Sequence, residues 1–164
     1  NGTMHLQMEP ELLEDVFQEA LAHIDRRSAE HTIRVQLDDD LLMARMDARL
    51  IVQVIINIIN NAIQYTQKGS CITLSACRKG EMAEVSIADD GPGIPPEVRE
   101  HLFDLFYTAE QGRADSRRGL GLGLNLCRSI VSAHGGCISV SENRPKGSVF
   151  AFTLPLEEAR IDHV

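Results

Sequence analysis

The sequence contains few aromatic and basic residues, and it has no tryptophan. Aromatic residues make up 4% of the 164 positions, and 24 Asp and Glu residues outnumber 16 Lys and Arg residues, giving a net charge of −8. Nucleic-acid-binding surfaces need concentrated positive charge, and single-strand binders also need aromatic side chains for stacking. We therefore expect no nucleic-acid partner.

Long apolar runs and closely spaced cysteine pairs are also missing. No apolar run is long enough to cross a bilayer, and no secretory signal sequence is recognisable. The four cysteines, at positions 71, 77, 127 and 137, show no Cys-x-x-Cys spacing, which argues against a zinc site. We expect reduced, partly buried thiols in a cytoplasmic domain.

The remaining composition is that of one globular domain, since 43% of the residues are hydrophobic. We expect residues 1–9 to be linker or vector-derived, residues 10–156 to form the domain, and residues 157–164 to be a loose tail. Apolar residues at helical spacing predict helices over residues 10–27, 47–66, 96–105 and 124–134. Alternating patterns predict strands over residues 33–37, 71–77, 84–88, 137–141 and 148–154. An α/β architecture of two layers follows.

Two asparagines lie one helical turn apart on the apolar helix predicted over residues 47–66. Asn57 and Asn61 are four residues apart, so their side chains share a face. Burying an amide without a partner costs about 1–3 kcal/mol, so a polar partner must meet that face. A hydrated metal ion or a phosphate group would satisfy the amides, and hydrogen bonds to nearby backbone would do so equally well.

An aspartate follows directly after the strand predicted over residues 84–88. Asp89 stands where a carboxylate can project from a strand end into a pocket, and the sequence continues Asp-Gly-Pro-Gly-Ile. An ionised carboxylate only accepts hydrogen bonds, so it suits the exocyclic amine of adenine and repels the carbonyl oxygen of guanine. Gly91 and Gly93 allow a close approach of the backbone to a ligand. A plain turn with a solvated aspartate pair is the alternative.

A third segment, Gly-Leu-Gly-Leu-Gly-Leu over residues 119–124, leads into the helix predicted to end at His134. Backbone amides at a helix N-terminus form a cradle for phosphate. The polar segment over residues 108–118 precedes it and carries Arg113, Arg117 and Arg118. We interpret that segment as a flexible lid, with a simple surface loop as the alternative.

The order of these motifs resembles one family closely. Asn57-x-x-x-Asn61, Asp89-x-Gly91-x-Gly93, Phe103-x-x-Phe106 and Gly119-x-Gly121-x-Gly123 are similar to the ATP-binding catalytic domain of bacterial sensor histidine kinases. The resemblance runs from about residue 12 to residue 155. That superfamily also includes gyrase, the Hsp90 chaperones and MutL. The ending over residues 142–155 further resembles the potassium-sensing kinases of the Kdp type.

The resemblance implies a Bergerat-type ATP-binding fold, a two-layer sandwich of a mixed, mostly antiparallel sheet and about three helices, with a short flexible lid. It also implies ATP and Mg²⁺ as cofactors. Asn61 would coordinate Mg²⁺, Asn57 would contact the metal shell or phosphate, and Asp89 would accept from the adenine amine. The implied nucleotide-binding residues are Asn57, Asn61, Gln64, Tyr65, Asp89, Gly91, Gly93, Ile94, Phe106, Gly119, Leu120, Gly121, Leu122, Gly123, Leu124 and Thr153.

Within that set the resemblance gives further roles. Tyr65 and Ile94 would sandwich the base, and Thr153 would bring a hydroxyl near the adenine. The amides over residues 119–124 would hold the triphosphate, and Phe103 and Phe106 would anchor the lid while also serving as core aromatics.

The chain departs from the family pattern at two positions. Relatives commonly carry a basic residue where this chain has Gln64, and an acidic one where it has Asn60. Because a neutral amide cannot balance phosphate charge, we hypothesise that Arg117 or Arg118 takes over that task. Asn57, Asn61, Arg117 and Arg118 are therefore the predicted catalytic residues.

The phosphoacceptor of such a kinase is a histidine, commonly followed by an acidic residue, on a separate helical hairpin. None of the six histidines here precedes Asp or Glu, and His101 and His134 are interpreted as helix-surface or cap residues. The expected partners are the kinase's own dimerisation hairpin, outside this chain, and a response regulator. The fragment is expected to be a monomer, and its parent a homodimer anchored in a membrane with this domain in the cytoplasm.

Two alternatives come from other functional classes. ATP hydrolases of the superfamily carry a glutamate base four residues before the metal-binding asparagine, where this chain has Asn57, an amide that cannot take a proton. A non-catalytic nucleotide-binding or docking module is the second alternative, and Gln64 favours it. The sequence therefore predicts phosphoryl transfer from ATP to a histidine, with these two alternatives.

Overall fold

The protein folds into two layers, an open sheet and a layer of helices against one of its faces. The computed structural model describes residues 4–24, 30–39, 41–104 and 120–157. Its strands are β1 (Glu9–Leu12), β2 (Thr32–Leu37), β3 (Met43–Met46), β4 (Cys71–Lys79), β5 (Met82–Asp89), β6 (Ile138–Glu142) and β7 (Ser148–Glu157). Its helices are α1 (Leu13–Leu21), α2 (Ala48–Tyr65), α3 (Pro96–Arg99) and α4 (Leu120–Ala133). The predicted two-layer sandwich is confirmed.

The sheet has the order β1-β3-β7-β5-β4-β2, and β6 also pairs with β7. Strands β2 and β4 run parallel, and the other described pairs are antiparallel. β7 is the central strand, because it pairs with β5 along one side and with β6 and then β3 along the other. The predicted sheet, mixed and mostly antiparallel, is therefore confirmed.

The core lies between the sheet and α2. Helix α2 has neither glycine nor proline, and it buries an apolar stripe that includes Ile51, Ile55 and Ile58. Alternate residues of β5 and β7 meet this stripe, as the period of a half-buried strand requires. Helices α1 and α4 pack on either side of α2. No helix within the described ranges is long and apolar enough to cross a membrane.

The first predicted helix is wrong at its beginning. Residues 9–12 form strand β1 and pair with β3, so the helix begins at Leu13 and its described part ends at Leu21. Pro10 is tolerated in β1 because this strand lies at the edge of the sheet, where a missing N–H costs little. Strand β3 was not predicted, since Met-Ala-Arg-Met lacks β-branched residues. Residues 25–29 lie outside the described ranges.

Two other helix predictions also need correction. The helix predicted over residues 96–105 is a single turn, α3, which is followed by turns up to residue 104. Helix α4 begins at Leu120, so Gly121 and Gly123 lie in its first turns and do not precede it. His134, predicted as a surface or cap residue, is only 3% exposed. His101 is exposed, with Nδ1 2.9 Å from Asp104 Oδ2.

The ring of His134 joins the end of α4 to the start of α2. Its Nδ1–H donates to the Ile130 carbonyl at 2.7 Å, and its Nε2 accepts the Asp47 backbone N–H at 3.0 Å. Both ring nitrogens are thus bonded to backbone groups, which fixes the neutral tautomer with the proton on Nδ1. His134 therefore has a structural role, because it connects the two helices through these hydrogen bonds.

The ends of the folded chain extend slightly beyond the predicted domain limits. The Gln7 backbone N–H donates to Asp47 Oδ2 at 3.1 Å, and Met4 packs against the core. Burial raises the pKa of Asp47, but the hydrogen bonds from Gln7 and Arg49 outweigh burial and leave that pKa lowered. β7 continues through Glu157, and residues 158–164 lie outside the described ranges.

Candidate functional site

A pocket opens between the C-terminal half of α2, the loop after β5 and the start of β7. Its lining residues are Asn61, Ala62, Tyr65, Asp89, Pro92, Gly93, Ile94, Ser148 and Phe150. Five of these, Asn61, Tyr65, Asp89, Gly93 and Ile94, are predicted site residues. The structure thus brings residues from two separate motifs to one place.

Asp89 is the buried acid of this pocket, with 7% of its surface exposed. Its Oδ1 accepts the Gly91 N–H at 2.9 Å and the Ser148 N–H at 3.3 Å. Burial raises the pKa of Asp89, the two N–H groups oppose that rise, and the neighbouring Asp90 charge adds to it. Among the hydrogen bonds of the described residues none involves Oδ2, so this oxygen is left to accept from a ligand.

The turn between β6 and β7 holds the main chain of Asp89, a role that the sequence did not reveal. The Asn143 side chain donates through Nδ2 to the Asp89 carbonyl oxygen at 2.7 Å. Gly147 lies so close that a Cβ there would come within 1.9 Å of the same oxygen. These residues are 54 and 58 positions from Asp89 along the chain, so no local pattern could connect them.

Ser148 and Phe150 are further site residues that the sequence reasoning missed. They occupy alternate positions of β7 and are buried, as are Phe152 and Leu154 on the same face of the strand. The alternating pattern of residues 148–154 could have identified them, because it predicts that even-numbered positions face the helices.

The same alternation along β7 corrects the prediction made for Thr153. It lies on the opposite face of β7 from Ser148 and Phe150, and its Oγ1 accepts the Cys137 N–H at 3.0 Å. A Cβ on Gly136 would lie 1.8 Å from the Thr153 carbonyl oxygen, so the start of β6 packs tightly there. The prediction that Thr153 brings a hydroxyl near the adenine is therefore wrong, because the serine of the same strand, Ser148, lines the pocket in its place.

The two asparagines of α2 have different surroundings. Asn61 lines the pocket, and within the described ranges its side-chain amide has no hydrogen-bond partner. Asn57 does not line the pocket, and its Nδ2 lies 3.8 Å from the sulfur of Cys127 on α4. Asn57 therefore contacts a side chain on a neighbouring helix, which is neither a ligand nor the nearby backbone that the sequence suggested, whereas Asn61 lies in the lining of the pocket.

The loop after β5 packs tightly against the end of α2. Gly91 leaves no space for a side chain, because a Cβ there would lie 2.6 Å from Thr66 Cγ2. The Thr66 hydroxyl donates to the Ala62 carbonyl at 2.7 Å, which ties the threonine to the last turn of α2. The glycine at position 91 therefore lets the Asp89 loop close onto the helix that carries Asn61.

An aromatic contact connects the pocket to α4. The rings of Phe103 and Phe150 meet edge to face, with centroids 6.3 Å apart. Asn125 on α4 donates through Nδ2 to the Phe103 carbonyl at 2.8 Å. The first half of α4 is thus held next to the pocket wall. Phe103 is half-buried and packs against the core, in agreement with its predicted role as a core aromatic.

The remaining predicted residues divide into three groups. Gln64 is exposed at the surface of α2 and does not line the pocket. Leu124 is fully buried in the core, and a Cβ on Gly123 would have open space. Leu120, Gly121 and Leu122 lie in the first turn of α4. Phe106, Arg113, Arg117, Arg118 and Gly119 lie outside the described ranges, so the predicted lid and the arginine hypothesis remain predictions.

The side chains of the pocket could bind one hard cation, such as Mg²⁺, when an anion such as phosphate supplies further oxygen ligands. Among the described residues no group of three or more His, Cys, Asp and Glu side chains could hold a metal ion. Mg²⁺ is commonly bound by one or two protein oxygens, with phosphate oxygens and water completing the coordination. The side chain of Asn61 fits that arrangement, because it lines the pocket and its amide oxygen is a hard ligand.

The fold is that of a histidine kinase-, DNA gyrase B- and HSP90-like ATPase domain, and it matches solved catalytic domains of histidine kinases. The solved catalytic domain of the histidine kinase ThkA matches with a TM-score of 0.79 and 29% identity, covering 92% of this chain and 96% of that one. The family model described as "Histidine kinase-, DNA gyrase B-, and HSP90-like ATPase" matches residues 46–158, and the chain belongs to this family. The predicted family resemblance is confirmed.

Curated relatives are sensor kinases. The chain is 38% identical over 156 residues to the sensor protein KdpD of Clostridium acetobutylicum, covering 95% of this chain and 17% of the relative. It is 42% identical over 147 residues to the adaptive-response sensory kinase SasA of Microcystis aeruginosa, covering 88% of this chain and 38% of the relative. The chain thus spans much less than half of these relatives. ThkA has also been solved in complex with the response regulator protein TrrA, at a TM-score of 0.76 and 29% identity, covering 92% of this chain and 42% of that one.

Proposed function

We propose that this domain binds Mg-ATP and donates the γ-phosphoryl group to a histidine on a separate dimerisation and phosphoacceptor hairpin of a two-component kinase. One observation carries the proposal. The Asp89 carboxylate lines the pocket with Oδ1 held by two N–H groups, and its Oδ2 is left for a ligand. A buried acceptor of this kind selects a hydrogen-bond donor, and the exocyclic amine of adenine is the donor that ATP offers.

The walls of the pocket support an adenine base. Tyr65 and Ile94 both line it, and they can contact the two faces of a flat ring. Phe150 adds an apolar surface, and its ring is fixed by the edge of Phe103. Apolar walls with a single fixed acceptor are the usual construction of a small-molecule site, because the walls supply affinity and the acceptor supplies specificity.

The phosphates would lie between α2 and the first turn of α4. The first N–H groups of a helix have no partner within the helix, so they can bind phosphate oxygens. Helix α4 has no acidic residue in its first turn, which would otherwise repel phosphate. When bound, Mg²⁺ would be held by the Asn61 oxygen and would offset phosphate charge. Arg117 or Arg118 would supply the charge that Gln64 lacks.

The domain's contribution to the reaction would be positioning and charge stabilisation, which dominate phosphoryl transfer. No general base is needed on this chain, since the neutral imidazole of the acceptor already offers a lone pair. The parent kinase would be a membrane-anchored homodimer that phosphorylates a response regulator, with this domain in the cytoplasm. The solved complex of ThkA with the response regulator protein TrrA supports, by similarity, the proposal that the parent kinase phosphorylates a response regulator.

Titration of the chain with Mg-ATP tests the proposal. Asp89→Asn should weaken binding at least about tenfold, because the amide replaces an acceptor oxygen with a donor that faces the adenine amine. Asp90→Asn is the matched control. It removes the same charge from the next residue, whose Oδ1 accepts the Cys71 N–H at 3.0 Å, and it should bind like the wild type.

The outcomes separate the alternatives. A wild-type chain that binds no ATP would favour the docking module. Steady hydrolysis of ATP without any partner would favour a hydrolase. Equal binding by the wild type and both variants would show that Asp89 does not contact the base.

A further inference from the structure

The turn between β6 and β7 contacts Asp89 where the pairing of the strands ends. The last pair between β5 and β7 is Ala88 with Val149. Beyond it, Asp89 is held by the Asn143 Nδ2, which donates to its carbonyl oxygen at 2.7 Å, and by the Ser148 N–H, which donates to its carboxylate. The side chain of Asn143 therefore continues the sheet at the position of the pocket acid.

The orientation of the Asn143 amide is set by its own neighbours. Its Oδ1 accepts the Arg144 N–H at 2.9 Å, so its Nδ2 is the atom that faces Asp89. Its backbone N–H donates to the Gly147 carbonyl at 3.0 Å, which closes the turn. The donor that meets Asp89 is thus placed by two hydrogen bonds that do not involve Asp89.

The Asp89 carbonyl has few other options, because the residue is buried. A buried carbonyl oxygen without a donor costs free energy, so it would move toward the nearest available N–H. The register of β5 with β7, extended by one residue, places Ser148 opposite Asp89, and the Ser148 N–H now bonds the carboxylate. Without Asn143, the carbonyl and the carboxylate of Asp89 would compete for one donor, and the carboxylate would lose its fixed direction.

We propose that Asn143 is a positioning residue that sets the preference of the pocket for adenine by holding Asp89. The proposal rests on the proposed function, in which Asp89 accepts from the adenine amine. Asn143 itself does not line the pocket. Its loss should therefore affect nucleotides that carry the amine and leave other nucleotides nearly unchanged.

Binding of ATP and inosine triphosphate by the wild type and three variants tests this role. Inosine triphosphate has the same phosphates and ribose as ATP, but a carbonyl oxygen replaces the amine. Asn143→Asp keeps the acceptor for the Arg144 N–H, replaces the donor to Asp89 with an oxygen, and adds one negative charge. Asn143→Ala removes both. Lys146→Gln is the control, since it changes the net charge by the same unit as Asn143→Asp at an exposed position of the same turn.

We expect the wild type to bind ATP at least about tenfold more tightly than inosine triphosphate. Both Asn143 variants should reduce this ratio at least about threefold, as expected for the loss of one hydrogen bond. Lys146→Gln should keep the wild-type ratio. A role limited to the stability of the turn would weaken both nucleotides equally and leave the ratio unchanged.

The failures of the two proposals can be told apart. If the wild type binds neither nucleotide, or binds both equally, the proposed role of Asp89 fails and that of Asn143 fails with it. If the wild type prefers ATP and both Asn143 variants keep the full preference, only the role of Asn143 is overturned. A ratio reduced by Asn143→Ala alone would also overturn it, because the turn acceptor would then be responsible. If Asn143→Asp does not fold, an unchanged ratio with Asn143→Ala still overturns the role of Asn143.

Discussion

Asp89 shows that this pocket is built at the expense of stability. Burial raises the pKa of its carboxyl, so the folded state disfavours the ionised form. The direction in which stability changes with pH follows from the difference in proton binding between the folded and unfolded states. A carboxyl whose pKa is raised on folding destabilises the fold above that pKa, and the cost disappears as the pH falls below the unfolded value. A buried carboxylate with a raised pKa is what the acceptor role proposed for Asp89 requires.

At Cys127, as at Asp89, burial raises the pKa of the side chain, and here the raised pKa lowers the reactivity of the thiol. Burial raises the pKa of its thiol to about 11, although the Asn57 amide opposes the rise. We predict that iodoacetamide at pH 8 labels the exposed Cys77 and Cys137 and leaves Cys127 unmodified until the protein unfolds. Peptide mass spectrometry measures the labelling. Labelling of Cys127 at the rate of Cys77 would contradict this prediction.

The same pKa shift predicts a change of stability with pH. The thiol holds its proton more tightly in the folded state, so the free energy of unfolding should fall as the pH rises from 9 to about 11. Two pKa units correspond to about 2–3 kcal/mol. The pH dependence of the free energy of unfolding is measured for the wild type and for Cys127→Ala. The difference between the two curves gives the contribution of the Cys127 thiol, because the other titrating groups are common to both proteins.

At the scale of elements, the turn between β6 and β7 is held in place by close packing against Asp89 as well as by hydrogen bonds. Gly147 has a φ of 112°, and a Cβ there would lie 1.9 Å from the Asp89 carbonyl oxygen. We predict that Gly147→Ala lowers the free energy of unfolding by about 3 kcal/mol, because β5 and the turn must separate in addition to the backbone strain. Urea denaturation measures the change.

Gly69 provides the matched control for Gly147. Its φ is 92°, and a Cβ there would meet nothing within 4 Å. Gly69→Ala should therefore cost only the backbone strain, about 1–2 kcal/mol. Equal costs at the two positions would mean that the close approach of the turn to Asp89 has no energetic weight.

Most of these elements could be predicted from local patterns, because each carries its own period. Helix α2 and strands β5 and β7 agree with the predicted segments within a few residues. Strand β1 could not be predicted, since residues 9–12 become a strand only by pairing with β3, about 35 residues away. The length of α3 and the start of α4 depend likewise on packing rather than on local sequence.

The site was predictable to the extent that its residues lie in compact motifs. Asn61, Asp89 and Gly93 belong to such motifs, and all three line the pocket. Asn143 and Ser148 support Asp89 from the far end of the chain, and only the folded sheet brings them together. Thr153 was misplaced because the resemblance gave a residue type on β7 without the face of the strand.

At the scale of the whole molecule, we expect the phosphoacceptor to lie on a separate hairpin, because none of the six histidines in the sequence precedes Asp or Glu. His134 is buried with both ring nitrogens bonded to backbone, so it cannot act as a nucleophile. We predict that the chain alone incorporates no label from γ-labelled ATP. Adding the phosphoacceptor hairpin of the parent kinase should label the hairpin, with acid-labile, base-stable phosphate measured on a gel.

The same labelling reaction has an internal control. At ATP concentrations below saturation, Asp89→Asn should reduce the transfer to the hairpin by about the same factor as ATP binding, about tenfold or more, and Asp90→Asn should preserve it. Stable label on the isolated chain would contradict the assignment of the acceptor to a separate hairpin.

The packing of α1 on α2 has a consequence for anyone who exchanges this domain between kinases. The family match begins at residue 46, but Leu13, Val16, Phe17 and Ala20 are all buried and lie upstream of it. A hybrid that takes only the residues after position 46 from this chain would lose β1, α1, β2 and β3, and the apolar face of α2 that packs against α1 would be uncovered unless the other kinase supplied a matching surface. The junction therefore belongs upstream of β1.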